Sequence, residues 1–411
     1  MKVDTMRDID FYAGVPLCFL LTIFFKLISL LTGRKTYNKP QNVLLIELSE
    51  MGSAILVDPA MRKLQSELGA ELHFLIFKKN KPSLNLLKTV KEENIFTIRE
   101  DGLIPLVLDT LRFLLWARNK KIDTVIDLEL FSRFTALLTG LSGATNRAGF
   151  HAFYNEGLYR GNLLTHKIAY NPHLHISKNF IAIVNALASD KQERPFSKTL
   201  ITDDEITLCK AEIPPAAKEE IYQKIKALSP DFSPARTKII LVNTNASDLL
   251  PQRRWDRNNY ITVVNRILSH DQKLLVLLTG SPAEKEWVQV VADAVNDPRC
   301  INFAGGVKFA ELTTLYSVSA MMLTNDSGPA HFASVTEMHT FVIFGPETPA
   351  LYGSLGNSTA IYSGLACSPC VSAANHRKTP CSDNVCLQVI SPEQVFTTIL
   401  PLLESLDAQG A

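Results

Sequence analysis

The chain alternates between apolar runs of strand length and amphipathic stretches of helical period, and it does so twice. "NVLLIELS" is an unbroken apolar run of the kind carried by a parallel strand buried on both faces. "EMGSAILVDPAMRKLQSEL" predicts a turn into an amphipathic helix, "ELHFLIF" and "NIFTIRE" two more strands, 103–118 a helix and "IDTVIDL" another strand. A polar, proline-rich stretch over 187–234 follows, and the alternation then restarts. "KIILVNTN", "KLLVLLTG", "CINFAG", "AMMLTND" and residues 339–345 read as strands; "NNYITVVNRILS", "AEKEWVQVVADAV" and "FAELTTLYSVS" read as helices. Such alternation predicts doubly wound α/β domains at 37–200 and 235–411, the second with a C-terminal helix, joined by a linker at 201–234. Two such domains facing one another make a cleft, and open sheets take ligands outside the carboxyl ends of their strands.

One segment breaks the pattern. "FYAGVPLCFLLTIFFKLISLLTG", residues 11–33, is apolar except for Thr22, Lys26, Ser29 and Thr32. Its unbroken part falls short of the roughly 20 residues of a spanning helix, and running on through Lys26 to Leu31 makes a span just possible. Arg34 and Lys35 follow it, whereas Asp4, Asp8 and Asp10 precede it, so the positive-inside rule puts the body of the protein in the cytoplasm. Residues 1–36 therefore read as a membrane-associated segment, spanning or lying in one leaflet. A signal peptide and a buried core helix are the competing readings.

Composition adds bounds. The 411 residues suit two ordinary domains, and 46% apolar with 20% charged residues gives enough material for packed cores. A net charge of +1 gives no electrostatic case for nucleic acid as a partner. Seven cysteines are too few for a disulfide scaffold and fit a reduced compartment.

Several motifs are absent: no G-x-G-x-x-G, no P-loop, no G-x-S-x-G elbow and no H-E-x-x-H. The sole D-x-D, Asp8-Ile9-Asp10, lies beside the hydrophobic segment. A diphosphate ligand would then have its charge met by protein donors. "TNDSGPAHFA" predicts a strand end, a turn and a helix starting near Pro329, with Asp326 or Ser327 as the cap and free N–H groups suited to phosphate. Loops after two other predicted strands offer Thr244, Asn245, Arg253 and Arg254, and Gly280, Ser281 and Glu284, all on one edge of one sheet.

"NVLLIELSEMGSAILVDPAMRKL", "NTNASDLLPQRRW", "LLTGSPAEK" and "NDSGPAHFASVTEMHTFVIFGPETP", in this order, resemble glycosyltransferase family nine, the lipopolysaccharide heptosyltransferases. The resemblance runs from residue 43 to about 396. It implies a GT-B fold with the acceptor on the first domain and the nucleotide-sugar donor on the second. It also implies inverting, metal-free transfer of a heptose from ADP-heptose to the lipopolysaccharide inner core, with no cofactor, at the cytoplasmic side of the inner membrane. By position, Asp326, Ser327, Gly328, Pro329 and His331 resemble the family's diphosphate-sugar site. Thr244, Asn245 and Arg253 fall where the family holds phosphate; a lysine is more usual at the last position, and the planar fork of arginine is a competent substitute. Gly280 and Ser281 open the next loop, and Glu284 resembles the residue that grips the nucleoside. On the acceptor side, "DLELFSRFTALL" and "TNRAGF" resemble a strand end and a turn, with Gly52, Arg133 and Arg147 as acceptor-binding candidates. Lys78, Lys79 and Lys81 are either a further anion site or a solvated cluster.

The chain departs from the family at the catalytic loop, which usually reads Met/Ile-Gly-Asp and here reads Glu50-Met51-Gly52-Ser53. A hydroxyl such as that of Ser53 is no base at neutral pH without a base of its own. Glu50 is the first candidate in its place and Glu47 the second. Two alternatives follow: a same-fold transferase using another nucleotide sugar or glycan, and a non-catalytic nucleotide-sugar-binding subunit. Cys367, Cys370, Cys381 and Cys386 read either as a structural zinc site, against their irregular spacing, or as reduced thiols.

Overall fold

The computed structural model describes residues 3–32, 39–49, 51–191, 193–246 and 250–408. The chain divides into two compact units, Met1–Thr207 and Leu208–Ala411.

The first unit begins with α1 (Val3–Tyr12) and α2 (Gly14–Thr32). Its sheet holds β1 (Asn42–Ile46), β2 (Glu71–Phe77), β3 (Ile95–Ile98), β4 (Thr124–Asp127), β5 (Asn146–Phe150) and β6 (His166–Ile168). All of these pair in parallel in the order β3-β2-β1-β4-β5-β6. Its other helices are α3 (Met51–Leu56), α4 (Asp58–Leu68), α5 (Leu103–Asn119), α6 (Arg133–Leu141) and α7 (Ile176–Ala188). The helix expected after β1 is split in two, because Pro59 lacks the N–H that would continue the hydrogen-bond ladder. Gly69 ends α4 in the left-handed conformation that glycine adopts without a Cβ penalty. The order reverses direction between β1 and β4, whose carboxyl ends carry Ile46 opposite Asp127. Right-handed crossovers then put α5 and α6 together on one face of the sheet, opposite the face covered by α4 and α7.

The second unit repeats the plan. β7 (Lys238–Asn243), β8 (Leu274–Thr279), β9 (Cys300–Asn302), β10 (Met321–Asn325), β11 (His339–Phe344) and β12 (Ser358–Tyr362) pair in parallel in the order β12-β11-β10-β7-β8-β9. The helices are α8 (Pro215–Lys226), α9 (Arg257–His270), α10 (Lys285–Val295), α11 (Leu312–Ser317), α12 (Gly328–Ala333), α13 (Pro349–Tyr352), α14 (Val385–Gln388) and α15 (Pro392–Ala408). The strands are buried almost throughout, which accounts for their continuous apolar runs. Asp256 caps α9 by accepting the Asn258 N–H at 2.8 Å. Helix α8 lies inside the stretch read as a linker; it buries Ile221 and Ile225, one turn apart, and ties Lys224 to Glu311 at 2.7 Å.

Candidate functional site

In the second unit the sheet order reverses between β7 and β10, the place where a doubly wound sheet opens a crevice. The two strand ends are stitched together there. Asn325 Nδ2 donates to the Asn245 carbonyl at 3.2 Å, and Asn325 Oδ1 accepts the Trp255 N–H at 3.0 Å. The loop after β8 joins through Glu284, whose Oε1 accepts from Asn245 Nδ2 at 2.5 Å and whose Oε2 accepts the Ser281 N–H at 2.6 Å. Gly280 accepts the Gly305 N–H on its carbonyl at 2.9 Å, which fixes the turn. Thr244, Asn245, Gly280, Ser281 and Glu284 are thus on one edge.

The loops after β10 and β11 bring charge to the same edge. Arg253 Nη2 lies 2.7 Å from Glu347 Oε2, and its Nε stands 3.5 Å from Asp326 Oδ2. Arg377 approaches Glu347 Oε1 at 3.6 Å and stacks on the Tyr352 ring at 5.1 Å. Both carboxyls are buried. Burial raises the Glu347 carboxyl to about 7; Arg253 opposes the shift and Asp326 adds to it. Burial likewise raises Asp326 against the pull of Arg253. On Arg253 burial acts downward, but the two acids outweigh it and hold the guanidinium charged. The buried atoms that lack a hydrogen bond among the described residues include four at this edge, Thr244 Oγ1, Arg253 Nε, Asp326 Oδ2 and Glu347 Oε1, the last three held only in the long ion-pair contacts above. Buried polar atoms are rarely left so, and four on one strand-end edge mark a place for a polar ligand.

The turn "NDSGPAH" differs from expectation in one respect. Ser327 is the N-cap residue of α12, yet no side chain caps the helix; Ser327 Oγ instead donates to the Asn325 carbonyl at 3.2 Å. Gly328 stands where a Cβ would press on the Phe332 ring at 3.0 Å, Pro329 fills the first turn, and His331 is buried.

The first unit has its own cluster at the carboxyl edge. Glu129, just past β4, accepts the N–H groups of Leu48 and Ser49 at 2.9 Å each and the Ser49 hydroxyl at 3.2 Å. Burial raises its carboxyl, while these donors pull the other way. Glu129 thereby fixes the segment that leads into the loop of Gly52 and Ser53, both in α3. Glu50 lies outside the described residues. Glu47 is buried, and its N–H belongs to the sheet, donating to Leu75. Asp127, fully buried, pairs with Arg160, which also donates to the Glu129 and Phe150 carbonyls. Beyond β5, His151 is held well below the ordinary histidine range, at about 4, by burial first and then by Lys167, Arg160 and Arg194.

Two acceptor-side expectations are corrected. Arg133 is 1% exposed, and its guanidinium donates to the carbonyls of Tyr159 (2.9 Å) and Gly157 (2.7 Å) and to Asp10 (3.4 Å). It bolts α6 to the N-terminal helices and presents no open face to an acceptor. Arg147 opens β5, at the end of the sheet opposite the functional loops, and donates to the carbonyls of Leu163 and Ala144. Of the lysine cluster, Lys79 and Lys81 pair with Glu100 and Glu92. Cys367, Cys370, Cys381 and Cys386 are free thiols, and among the described residues no group of three or more His, Cys, Asp or Glu is arranged to hold a metal. Glu347 and Glu129 escaped the sequence reading. Each is an acid just past the end of a buried strand, in "FVIFGPETP" and "DLELF", and that placement was the available signal.

The chain is similar to known proteins. The family model for glycosyltransferase family 9 (heptosyltransferase) matches residues 115–379. The lipooligosaccharide heptosyltransferase 2 of Campylobacter jejuni is 26% identical over 187 residues, 44% of this chain and 56% of that protein. The lipopolysaccharide core heptosyltransferase OpsX of Haemophilus influenzae is 24% identical over 253 residues, 60% of this chain and 64% of that one. These matches span less than two thirds of either relative's length. The solved E. coli ADP-heptose lipopolysaccharide heptosyltransferase II superposes with a TM-score of 0.67 at 18% identity, covering 89% of this chain and all of that one. That likeness establishes the GT-B type of fold, with its two Rossmann-like units, and the family match runs from within the first unit through most of the second. The chain belongs to glycosyltransferase family 9, the heptosyltransferases.

Proposed function

We propose that this protein transfers a heptose from ADP-heptose to a lipid-linked inner-core acceptor of lipopolysaccharide, with inversion and without a metal, at the cytoplasmic face of the inner membrane. The observation that carries the reading is the set of buried polar atoms without a hydrogen bond around Arg253 at the carboxyl edge of the second unit. In this reading Arg253 and Thr244 meet the diphosphate, Asp326 and Glu347 accept sugar hydroxyls, and the loop of Gly280, Ser281 and Glu284 takes the nucleoside. Ser327, Gly328, Pro329 and His331 shape the turn against the sugar phosphate. A protonated Glu347 matters electrostatically, because it leaves Arg253 opposed by one carboxylate rather than two and so able to serve an incoming anion.

The acceptor hydroxyl oxygen attacks the anomeric carbon as the bond from that carbon to the diphosphate oxygen breaks. ADP leaves with its new charge met by Arg253, and the hydroxyl proton passes to a base on the acceptor side. Glu50 is assigned that role; Ser53 at the usual position contacts the acceptor and takes no proton. Arg160, Lys167 and Arg194, the cations that help keep His151 neutral, supply the positive field for an anionic acceptor.

Calorimetry on the full chain with ADP-, UDP- and GDP-sugars, in the absence of metal, tests the donor half. Binding of an ADP-sugar that falls at least tenfold in Arg253→Ala and Asp326→Ala is expected; no binding by any of the three withdraws the transferase reading. Turnover lost in Glu50→Gln with donor binding intact supports the base. Donor binding without turnover on any acceptor favours the second reading, a nucleotide-sugar-binding subunit, for which the Ser53 position speaks.

A further inference from the structure

The first unit carries an outward apolar face that its fold leaves uncovered. Helix α5 shows Leu103, Ile104, Val107, Leu108, Leu111 and Leu115 to solvent, with Ile104 75% and Leu115 64% exposed. Their spacing of three and four makes one stripe along the helix, on the side away from the sheet. Its inner side, with Phe113 and Ala117, supplies the core. Exposed apolar surface on this scale in a folded unit marks an interaction site.

The N-terminal helices lie beside it. Helix α6 touches α1, α2 and α5, and Met6 of α1 packs on the cluster that holds the inner face of α5. Asp10 accepts the N–H groups of Arg133 and Phe134 at 2.9 and 2.8 Å, capping α6 from a distant part of the chain. Gly14, Cys18, Leu21 and Phe25 form the inward seam of α2: Gly14 stands where a Cβ would collide with the Arg133 side chain, and the others pack on Ala136, Gly140 and Leu163. Thr22 Oγ1 accepts the Asn162 N–H at 2.8 Å. Helix α2 is thus fastened to the unit from Gly14 to Phe25, about 17 Å of its length. Among the described residues, Lys26 to Thr32, roughly 10 Å of helix, continue beyond Phe25, against a hydrocarbon core of about 30 Å. Its other side shows Leu20, Phe24, Leu27 and Leu31 to solvent.

We propose that the outer sides of α2 and α5 form one face that lies in a single leaflet of an anionic lipid bilayer, so that the N-terminal helix docks in the membrane plane rather than crossing it. Lipid is the occupant because the apolar stripe ends in cations. Arg112 and Arg118 flank it, Lys120 and Lys121 follow it, and its single acid, Asp109, is turned inward into a bidentate pair with Arg99. A second copy joined about a two-fold axis through the same face would set those cations against their own mates. Apolar and cationic groups together match the headgroup–acyl boundary, where one signal alone binds weakly.

Flotation of the full chain with phosphatidylcholine vesicles, with and without phosphatidylglycerol, tests this without reference to catalysis. The paired substitution Val107→Glu, Leu111→Glu changes two side chains each 55% exposed and leaves α2 untouched. It should lower vesicle partitioning roughly a hundredfold, at about tenfold per buried aliphatic side chain, with circular dichroism and melting unchanged. Phosphatidylglycerol should strengthen binding of the parent, and Leu228→Glu, an exposed leucine of the second unit, should change nothing. Parent-like partitioning of the paired variant overturns the proposal, since α2 alone would then hold the membrane. A parent that is dimeric by light scattering, and that the paired substitution makes monomeric without loss of vesicle binding, overturns it in favour of a second copy.

Discussion

The charged groups around Arg253 set the most specific expectation at the scale of single residues. Glu347 is raised to about 7 by burial, so in the folded protein it keeps a proton that an unfolded chain, titrating near 4.5, has released. Stability from this group is therefore complete below about pH 4.5 and is lost as pH rises through 7. Melting followed from pH 5 to pH 8 should decline more steeply in the parent than in Glu347→Gln, which carries no titrating proton, by on the order of 1 kcal/mol or more across the window. Parallel profiles would show that Glu347 is ionised throughout. Glu129 acts differently. Its side chain serves three donors of residues 48 and 49, and Glu129→Ala leaves two amide N–H groups without a partner. A loss of about 2 kcal/mol in chemical denaturation is expected, with faster amide exchange confined to the segment after β1.

At the scale of elements, a residue 123 positions away caps α6. Asp10→Ala removes the acceptor for two N–H groups and the only acid paired with buried Arg133 among the described residues. A cost of about 2–4 kcal/mol is expected, combining a lost cap with an uncompensated charge. Asp10→Asn should recover part of it by restoring the acceptor oxygen. Denaturation of the three proteins side by side reads this directly. A cost within about 0.5 kcal/mol for Asp10→Ala would mean that water replaces the cap. The same contact explains what the sequence could and could not convey. Strands β1, β2, β4, β7, β8, β10 and β11 were legible because burial on both faces leaves unmistakable apolar runs. Strand β5 was not, since "NRAGF" has no such run and its Gly149 is required by close approach to the Asp127 carbonyl, 2.9 Å from where a Cβ would sit. Helix α8 hides two apolar residues among charges. Arg133 and Arg147 looked like ligands for an anion because their burial depends on segments far off in sequence: Asp10 and Gly157 for one, Leu163 for the other. The strand-end loops at the carboxyl edge of the second unit were legible as loops because a strand end, a glycine turn and a following helix are all local.

For the whole molecule, the twofold use of one strand order gives ligand binding an uneven footprint. The loops after β7, β8, β10 and β11 that we propose take the donor belong to a single unit, and each stems from the carboxyl end of a strand near the switch point. A ligand that binds only the folded form stabilises it by mass action, by about 2.7 kcal/mol at a hundredfold excess over its dissociation constant. If the donor sits where the buried atoms of Thr244, Arg253, Asp326 and Glu347 lack a hydrogen bond, that stabilisation enters through the second unit. Hydrogen exchange with ADP-sugar present should slow in the segments 243–246, 279–284, 325–331 and 345–348. It should leave β1 to β6 unchanged except in so far as the units unfold together. Arg253→Ala should abolish the protection while keeping the unliganded exchange pattern, because the edge is held independently by Asn325 and Glu284. Protection centred instead on the loop of Gly52 and Ser53 would move the donor to the first unit and reverse the assignment of the two halves.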